Sequence, residues 1–400
     1  MPILASGLVL VGVSCRTQTG SKPGETYRRI ARPEIWQVLP HGQAEVIGLR
    51  PGDILLVYDS TPVQTNEDVR QVQAAARTEK VTIVVLRGDE ELTFTVKPGP
   101  LGVMPVSARY PSSLAVALWE LMRSTGRFAD YDWLAALSGE AFTFTARPDE
   151  CRAWWPGGKS GVYLEALGQA AGLSFSRIPD PAQLRATVAQ GRPVLVRGGW
   201  PEHRSGFWGV VTRLDPRDSV LYGYSLDSAT ELALTGPVKE AYTVISTGQW
   251  AEPVEVLRTA LTHALELAQV YADTGWRSGI EAYDLVIASL DTVPFCPRCG
   301  IDESQACFDR LVWATLANRE SADRFLEGMK LALPDQVALI DEALAVNRAI
   351  ISKLNGMLRS GSELGRLEEQ RKLGHVFSRI ELDEVQLISI YEDILSSLPQ

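Results

Sequence analysis

The chain has 400 residues, 45% of them hydrophobic and 22% charged, a composition that excludes collagen-like, low-complexity and disordered chains. Against 39 Lys and Arg stand 49 Asp and Glu, a net charge of −10, so the chain repels phosphate backbones and no nucleic-acid partner is expected. Five cysteines are too few for a disulfide scaffold, and no stretch reaches the ~18 apolar residues that cross a bilayer.

The segment from Ile3 to Val13 is apolar and is followed by Cys15, the outline of a signal-peptide core. No Lys or Arg precedes it, and Gly12-Val13-Ser14 fits a lipoprotein cleavage site poorly. A buried strand and a cytoplasmic location are therefore expected, with an exported or lipid-anchored form left open. A polar stretch, Gln18 to Arg32, follows. Asn66 to Arg77 reads as a short helix that Asn66 or Thr65 caps, with Val69, Val72 and Ala76 on one face. Val81 to Arg87, the Gly88-Asp89 turn and Glu91 to Val96 read as a β-hairpin. Lys97-Pro-Gly-Pro marks a boundary.

Residues 104–250 mix helices with strands. Ser112 to Arg123, Val162 to Ala171 and Pro181 to Gln190 have helical patterns. Strands are expected at 193–197, 207–212, 220–225 and 241–246. Helices followed by a run of strands is an α+β order. Residues 251–400 read as helices at roughly 252–273, 276–291, 303–327, 333–358 and 376–397, a bundle.

The string Gly48-Leu-Arg-Pro-Gly-Asp-Ile-Leu-Leu, with Thr61-Pro-Val, the helix and the hairpin, resembles a PDZ domain of the bacterial HtrA-like type over about the first 100 residues. The resemblance implies a small barrel-like β domain whose peptide-binding loop lies near its N-terminus, where Leu10-Val11-Gly12-Val13 stands. Backbone N–H groups around a Gly can hold a terminal carboxylate, and the strand beyond them can pair with an extended peptide. Val69 and Val72 would form the far wall, favouring an apolar last residue. The stretch from Gln18 to Arg32 either covers that groove or is a long loop.

Ser112 to Leu121, Tyr131 to Phe142 and Phe207-Trp208-Gly-Val-Val-Thr resemble the papain-like fold of BtrH-like proteins, relatives of bacteriocin-processing cysteine peptidases. That family needs a Cys at the start of its first helix and a His to activate it. Neither is matched. Arg109-Tyr110-Pro111-Ser112 contains no Cys, and Phe207 stands in place of the His. Ser112 or Ser113 would need a strong base that Phe207 cannot supply. The orienting acid of the family matches Asp227. A degenerate cleft is thus expected among Arg109, Ser112, Ser113, Phe207, Trp208 and Asp227, with Trp154, Trp155, Trp200 and Trp208 walling one cavity.

Cys296-Pro-Arg-Cys299, with Cys307 beyond, is half a zinc site, a disulfide pair with a spare thiol, or three free thiols. A fourth ligand would have to come from His263 or His375. No metal and no cofactor are expected.

Together these readings give an α+β multidomain chain: a PDZ domain at 1–103, a papain-like domain lacking its Cys and His at 104–250, and a helical bundle at 251–400. The function they imply is a non-catalytic scaffold that binds the C-terminal peptide of a partner. The alternative is a BtrH-like acyltransferase or hydrolase with an altered site.

Overall fold

The computed structural model describes residues 22–38, 42–77, 79–99, 101–127, 130–146, 162–201, 206–226, 228, 230–269, 277–293, 295, 301–360 and 364–399. Helix and sheet are mixed throughout.

The first described element is a helix, α1 (Glu25–Ala31), within the stretch expected to be a polar loop or cover. Thr26, Tyr27, Ile30 and Ala31 are buried, so the Arg-rich sequence hides an apolar face at helical spacing. Next come β1 (Ile35–Val38), α2 (Gln43–Ile47), β2 (Ile54–Tyr58), β3 (Thr61–Pro62), α3 (Asn66–Ala75), β4 (Val81–Arg87), β5 (Glu90–Val96) and β6 (Val103–Pro105). The strands β3-β2-β4-β5 form one antiparallel sheet, and β6 returns to pair antiparallel with β1. These elements enclose a small core of their own, including Ile35, Leu55, Tyr58, Ile83 and Val85. Asp53, buried in the turn before β2, accepts from Arg50 N–H at 2.9 Å and from both Arg87 Nε and Nη2 at 2.8 and 2.7 Å. Burial alone would raise the Asp53 carboxyl, but Arg87 and the Arg50 N–H outweigh it and hold it below its usual range.

A 3-10 turn (Val106–Arg109) leads into α4 (Ser113–Ser124) and α5 (Tyr131–Leu137). Every residue of α4 from Ser113 to Met122 is buried, so this helix is central rather than amphipathic. The chain continues through β7 (Thr145–Ala146), α6 (Val162–Ala170), β8 (Leu173–Arg177), α7 (Pro181–Ala189), β9 (Val194–Gly198), β10 (Trp208–Leu214), β11 (Leu221–Ser225), β12 (Leu232–Ala233) and β13 (Val238–Thr247). A six-stranded sheet has the order β12-β11-β10-β9-β13-β8. Helices α8 (Pro253–Gln269), α9 (Ile280–Leu290), α10 (Ile301–Ala332), α11 (Val337–Ser360) and α12 (Leu367–Ser397) complete the chain, with β14 (Arg277–Ser278) pairing with β7. The last helix starts at Leu367, earlier than its apolar pattern suggested. One continuous core joins α4, α5 and the inner sheet face to these C-terminal helices, from Tyr27 to Leu398.

Candidate functional site

A concavity with a mainly apolar lining lies between α3 and β6. Helix α3 is fixed at its start by a capping box: Thr65 Oγ1 accepts from Asp68 N–H at 3.1 Å, and Asp68 Oδ2 accepts from Thr65 N–H at 2.9 Å. Helical spacing then turns Asn66, Val69, Arg70 and Gln73 to one side, where they line the cavity. Val69 thus stands in this wall. Val72 does not line it; it packs with Ala76 against the small core.

The opposite wall is Leu101 to Pro105. Gly102 has φ +77°, and a Cβ there would lie 2.7 Å from Gly42 Cα, so this close backbone approach requires glycine at that position. Ala44 donates its N–H to the Leu101 carbonyl at 2.8 Å, anchoring the strand entrance. Among the described residues β6 pairs only with β1, so it is an edge strand facing α3. Leu55 and Ile35 form the floor, and the cavity volume is about 390 Å³. The Leu10-Val11-Gly12-Val13 string expected to supply the binding loop lies outside the described residues. The strand across from α3 is led by Leu101-Gly102-Val103, which follows a Pro-Gly-Pro breaker.

The cavity continues beyond β6. Its far end is bounded by Ser107, Ala108, Tyr110 and Pro111, and by Leu226 and Arg310 from elements remote in sequence. Asn66 Nδ2 donates to Ser107 Oγ at 3.2 Å and to the Ile30 carbonyl at 3.5 Å, tying the start of α3 to this end. Its charges are Glu34, Arg70 and Arg310. Arg70 is exposed and ion-paired to Glu67 at 2.7 Å, and Arg310 Nη2 stands 3.4 Å from Cys307 Sγ. The Tyr110 phenol is pushed up by burial, opposed by the nearby Arg109 and Arg29.

The start of α4 is the second expected site. Ser112 caps the helix, its Oγ accepting from Ala115 N–H at 3.0 Å, and its own N–H donates to Tyr131 OH at 3.0 Å. Ser113 Oγ accepts from the Trp208 N–H at 3.2 Å, so α4 and β10 do meet. Ser225 Oγ donates to the Trp208 carbonyl at 2.9 Å. Ser112, Ser113, Phe207 and Trp208 are all buried. Arg109 does not point an anchor at the helix start. It pairs with Asp132 at 3.8 Å, and Asp132 also accepts from Ser321 and Arg324. That cluster was not found from sequence, because its members lie about 190 positions apart. Asp227 lies outside the described residues.

The single tryptophan-walled cavity is corrected for its described members. Trp200 packs with Leu184, Val194 and Leu221 on one side of the sheet, whereas Trp208 joins the main core on the other. Successive strand side chains alternate between faces, and the two rings lie on opposite sides of the sheet. Trp154 and Trp155 lie outside the described residues. So do Cys296 and Cys299, while Cys307 is buried. Among the described residues no group of three His, Cys, Asp or Glu is placed to hold a metal, and no helix is long and apolar enough to cross a membrane.

Comparison with known proteins bears on the α3–β6 region. A family model described as "PDZ domain" matches residues 34–87. A protein of Clostridium perfringens named "Putative zinc metalloprotease" is 31% identical over 90 residues, 22% of this chain and 26% of the relative. Proteins with the same printed name from Mesorhizobium japonicum and Agrobacterium fabrum are 31% and 35% identical over 71 residues, 19% of each relative. The chain thus spans about a quarter or less of the length of these relatives. With its capped helix and the strands β3-β2-β4, the stretch 34–87 of this chain is a PDZ domain.

Proposed function

We propose that the chain is a peptide-binding scaffold whose PDZ groove takes the C-terminal tail of a partner protein ending in an apolar residue. The observation that carries this is the 390 Å³ cavity between α3 and the edge strand β6, floored by Leu55 and Ile35. An extended tail can add to β6 through backbone hydrogen bonds, while its last side chain enters beside Val69. The terminal carboxylate would lie at the backbone around Gly102, which lines the cavity.

In this reading the remainder of the chain is a papain-like domain and helical bundle without catalysis. The contact between the start of α4 and β10 supports that reading. So does the chemistry there: Ser113 is buried and its Oγ accepts from the Trp208 N–H, with Phe207 preceding that tryptophan in the chain. A backbone N–H that donates to a serine oxygen does not remove the serine's proton.

The test is a library of C-terminal peptides titrated against the full chain. Tails ending in Val, Leu, Ile or Phe should bind, and Val69→Asp should remove binding while circular dichroism stays unchanged. Absence of binding by every tail overturns the proposal. Labelling of Ser112 or Ser113 by an electrophilic activity probe would overturn its non-catalytic part.

A further inference from the structure

The groove does not end where the PDZ domain ends. The same cavity that starts at Leu101 runs past Pro105 to Ala108, Tyr110 and Pro111, and its outer wall there is Leu226 and Arg310. Leu226 follows β11 and Arg310 belongs to α10, so neither is a PDZ residue. The two parts are held in register by other contacts. Trp36 of β1 meets Trp313 of α10 edge-on, with ring centroids 5.9 Å apart. The Val106 N–H donates to the Glu34 carbonyl at 2.8 Å.

Resting on the peptide-binding reading, we infer that the site takes an extended tail with two apolar anchors: its last side chain at the PDZ end, and an aromatic one upstream between Tyr110, Leu226 and Arg310. The argument is one of continuity and size. At about 390 Å³ the cavity lies in the range of ligand pockets, more than one terminal side chain needs. A tail antiparallel to β6, with its carboxylate at Gly102, points its upstream residues toward the 3-10 turn. The path from Gly102 along β6 and that turn is roughly 18 Å, or about five extended residues. What waits there is mostly apolar: Met104, Ala108, Tyr110, Pro111 and Leu226, with the Asn66-bonded Ser107 and the Arg310 guanidinium. A flat ring suits such a wall, because it can lie against Tyr110 and beneath Arg310. Recognition is then shared between the PDZ domain and the unit that follows it.

The experiment uses the full chain and fluorescent octapeptides that share one apolar last residue and carry either Phe or Ser at each upstream position in turn. Phe should bind about tenfold or more tightly than Ser at one or two positions, four to six residues from the end, the gain of burying one aromatic ring. Ala108→Glu, a change on the partly exposed turn, should reduce the Phe peptide to the affinity of the Ser peptide and leave the Ser peptide unchanged. Equal binding of Phe and Ser peptides at every position overturns this inference while leaving the PDZ groove in place. Equal weakening of both peptides by Ala108→Glu overturns it as well. Failure of all peptides to bind overturns the groove reading and this inference together.

Discussion

Thr26 donates its backbone N–H to Glu120 Oε2 at 3.0 Å, 94 positions away in sequence. Gly24 donates to the other oxygen of the same carboxylate. A fully buried glutamate in the middle of α4 thereby supplies acceptors to the otherwise open first turn of α1. Tyr27 stacks on Tyr224 at 5.9 Å, and Arg28 Nη1 donates to the Tyr224 hydroxyl at 3.0 Å, which completes the docking.

Removing that carboxylate should release α1. Glu120→Ala leaves two buried N–H groups unpaired, at a cost of about 1–3 kcal/mol each. Trypsin should then cut quickly at Arg28 or Arg29, where the unaltered protein resists. Glu25→Ala, which removes only a 3.6 Å surface pair with Arg123, should leave the digestion unchanged.

Gly102→Val should unfold the entrance to the groove. The substituted residue would have to hold φ +77° with its Cβ 2.7 Å from Gly42 Cα. A lower melting temperature and loss of peptide binding are expected together. Gly88→Ala tests the φ cost alone, since a Cβ there meets nothing within 4 Å at φ +61°. It should lower the melting temperature less than Gly102→Val and leave peptide binding in place.

His263 should make stability depend on pH. Burial pushes its imidazole below the ordinary histidine range, with the Leu137 carbonyl, 2.6 Å from Nδ1, pulling weakly the other way. Tyr163 packs on the ring at 4.4 Å between centroids. The unfolded chain therefore binds the proton more readily than the folded one. The histidine contribution is fully present above the unfolded value of about 6.5 and is lost as pH falls through the lower folded value. Urea midpoints at pH 7.5 and 5 should differ more for the unaltered protein than for His263→Gln. Equal differences would show that carboxylates carry the whole effect.

The buried charges at the centre of the C-terminal helices make a third stability test. Arg319 pairs with Glu384, which also accepts from Tyr283 OH at 2.7 Å, and all three side chains are buried. Glu384→Leu strands a guanidinium and should cost about 3–5 kcal/mol, whereas adding Arg319→Met should recover most of that loss. Denaturant unfolding of the two single variants and the double variant completes the cycle.

The parts legible from sequence were those with a local signal. A cap at Asn66 or Thr65 announced α3, the Val81–Val96 alternation announced its hairpin, and the Arg-Pro-Gly-Asp turn pointed to the PDZ domain. The strand β6 was hidden because it has only three residues and follows a Pro-Gly-Pro breaker; it is held by pairing with β1, which no local pattern encodes. The same reason hid α1, whose stability comes from Glu120. It also explains Leu226 and Arg310 in the groove wall, since three-dimensional proximity alone brings them to Ala108. The serines of α4 were found, but their buried partners, Trp208 N–H and Tyr131 OH, follow from packing rather than spacing.

The short connection from Pro105 to Ser112 sets a leash on any movement. Even fully stretched it reaches only about 25 Å. If the Trp36–Trp313 contact opened, the PDZ domain would swing on that leash without diffusing away. A tail held in its groove would stay at an effective concentration in the millimolar range near the start of α4. Closing again would then cost little, so a captured partner would remain beside the second unit through many openings of the joint.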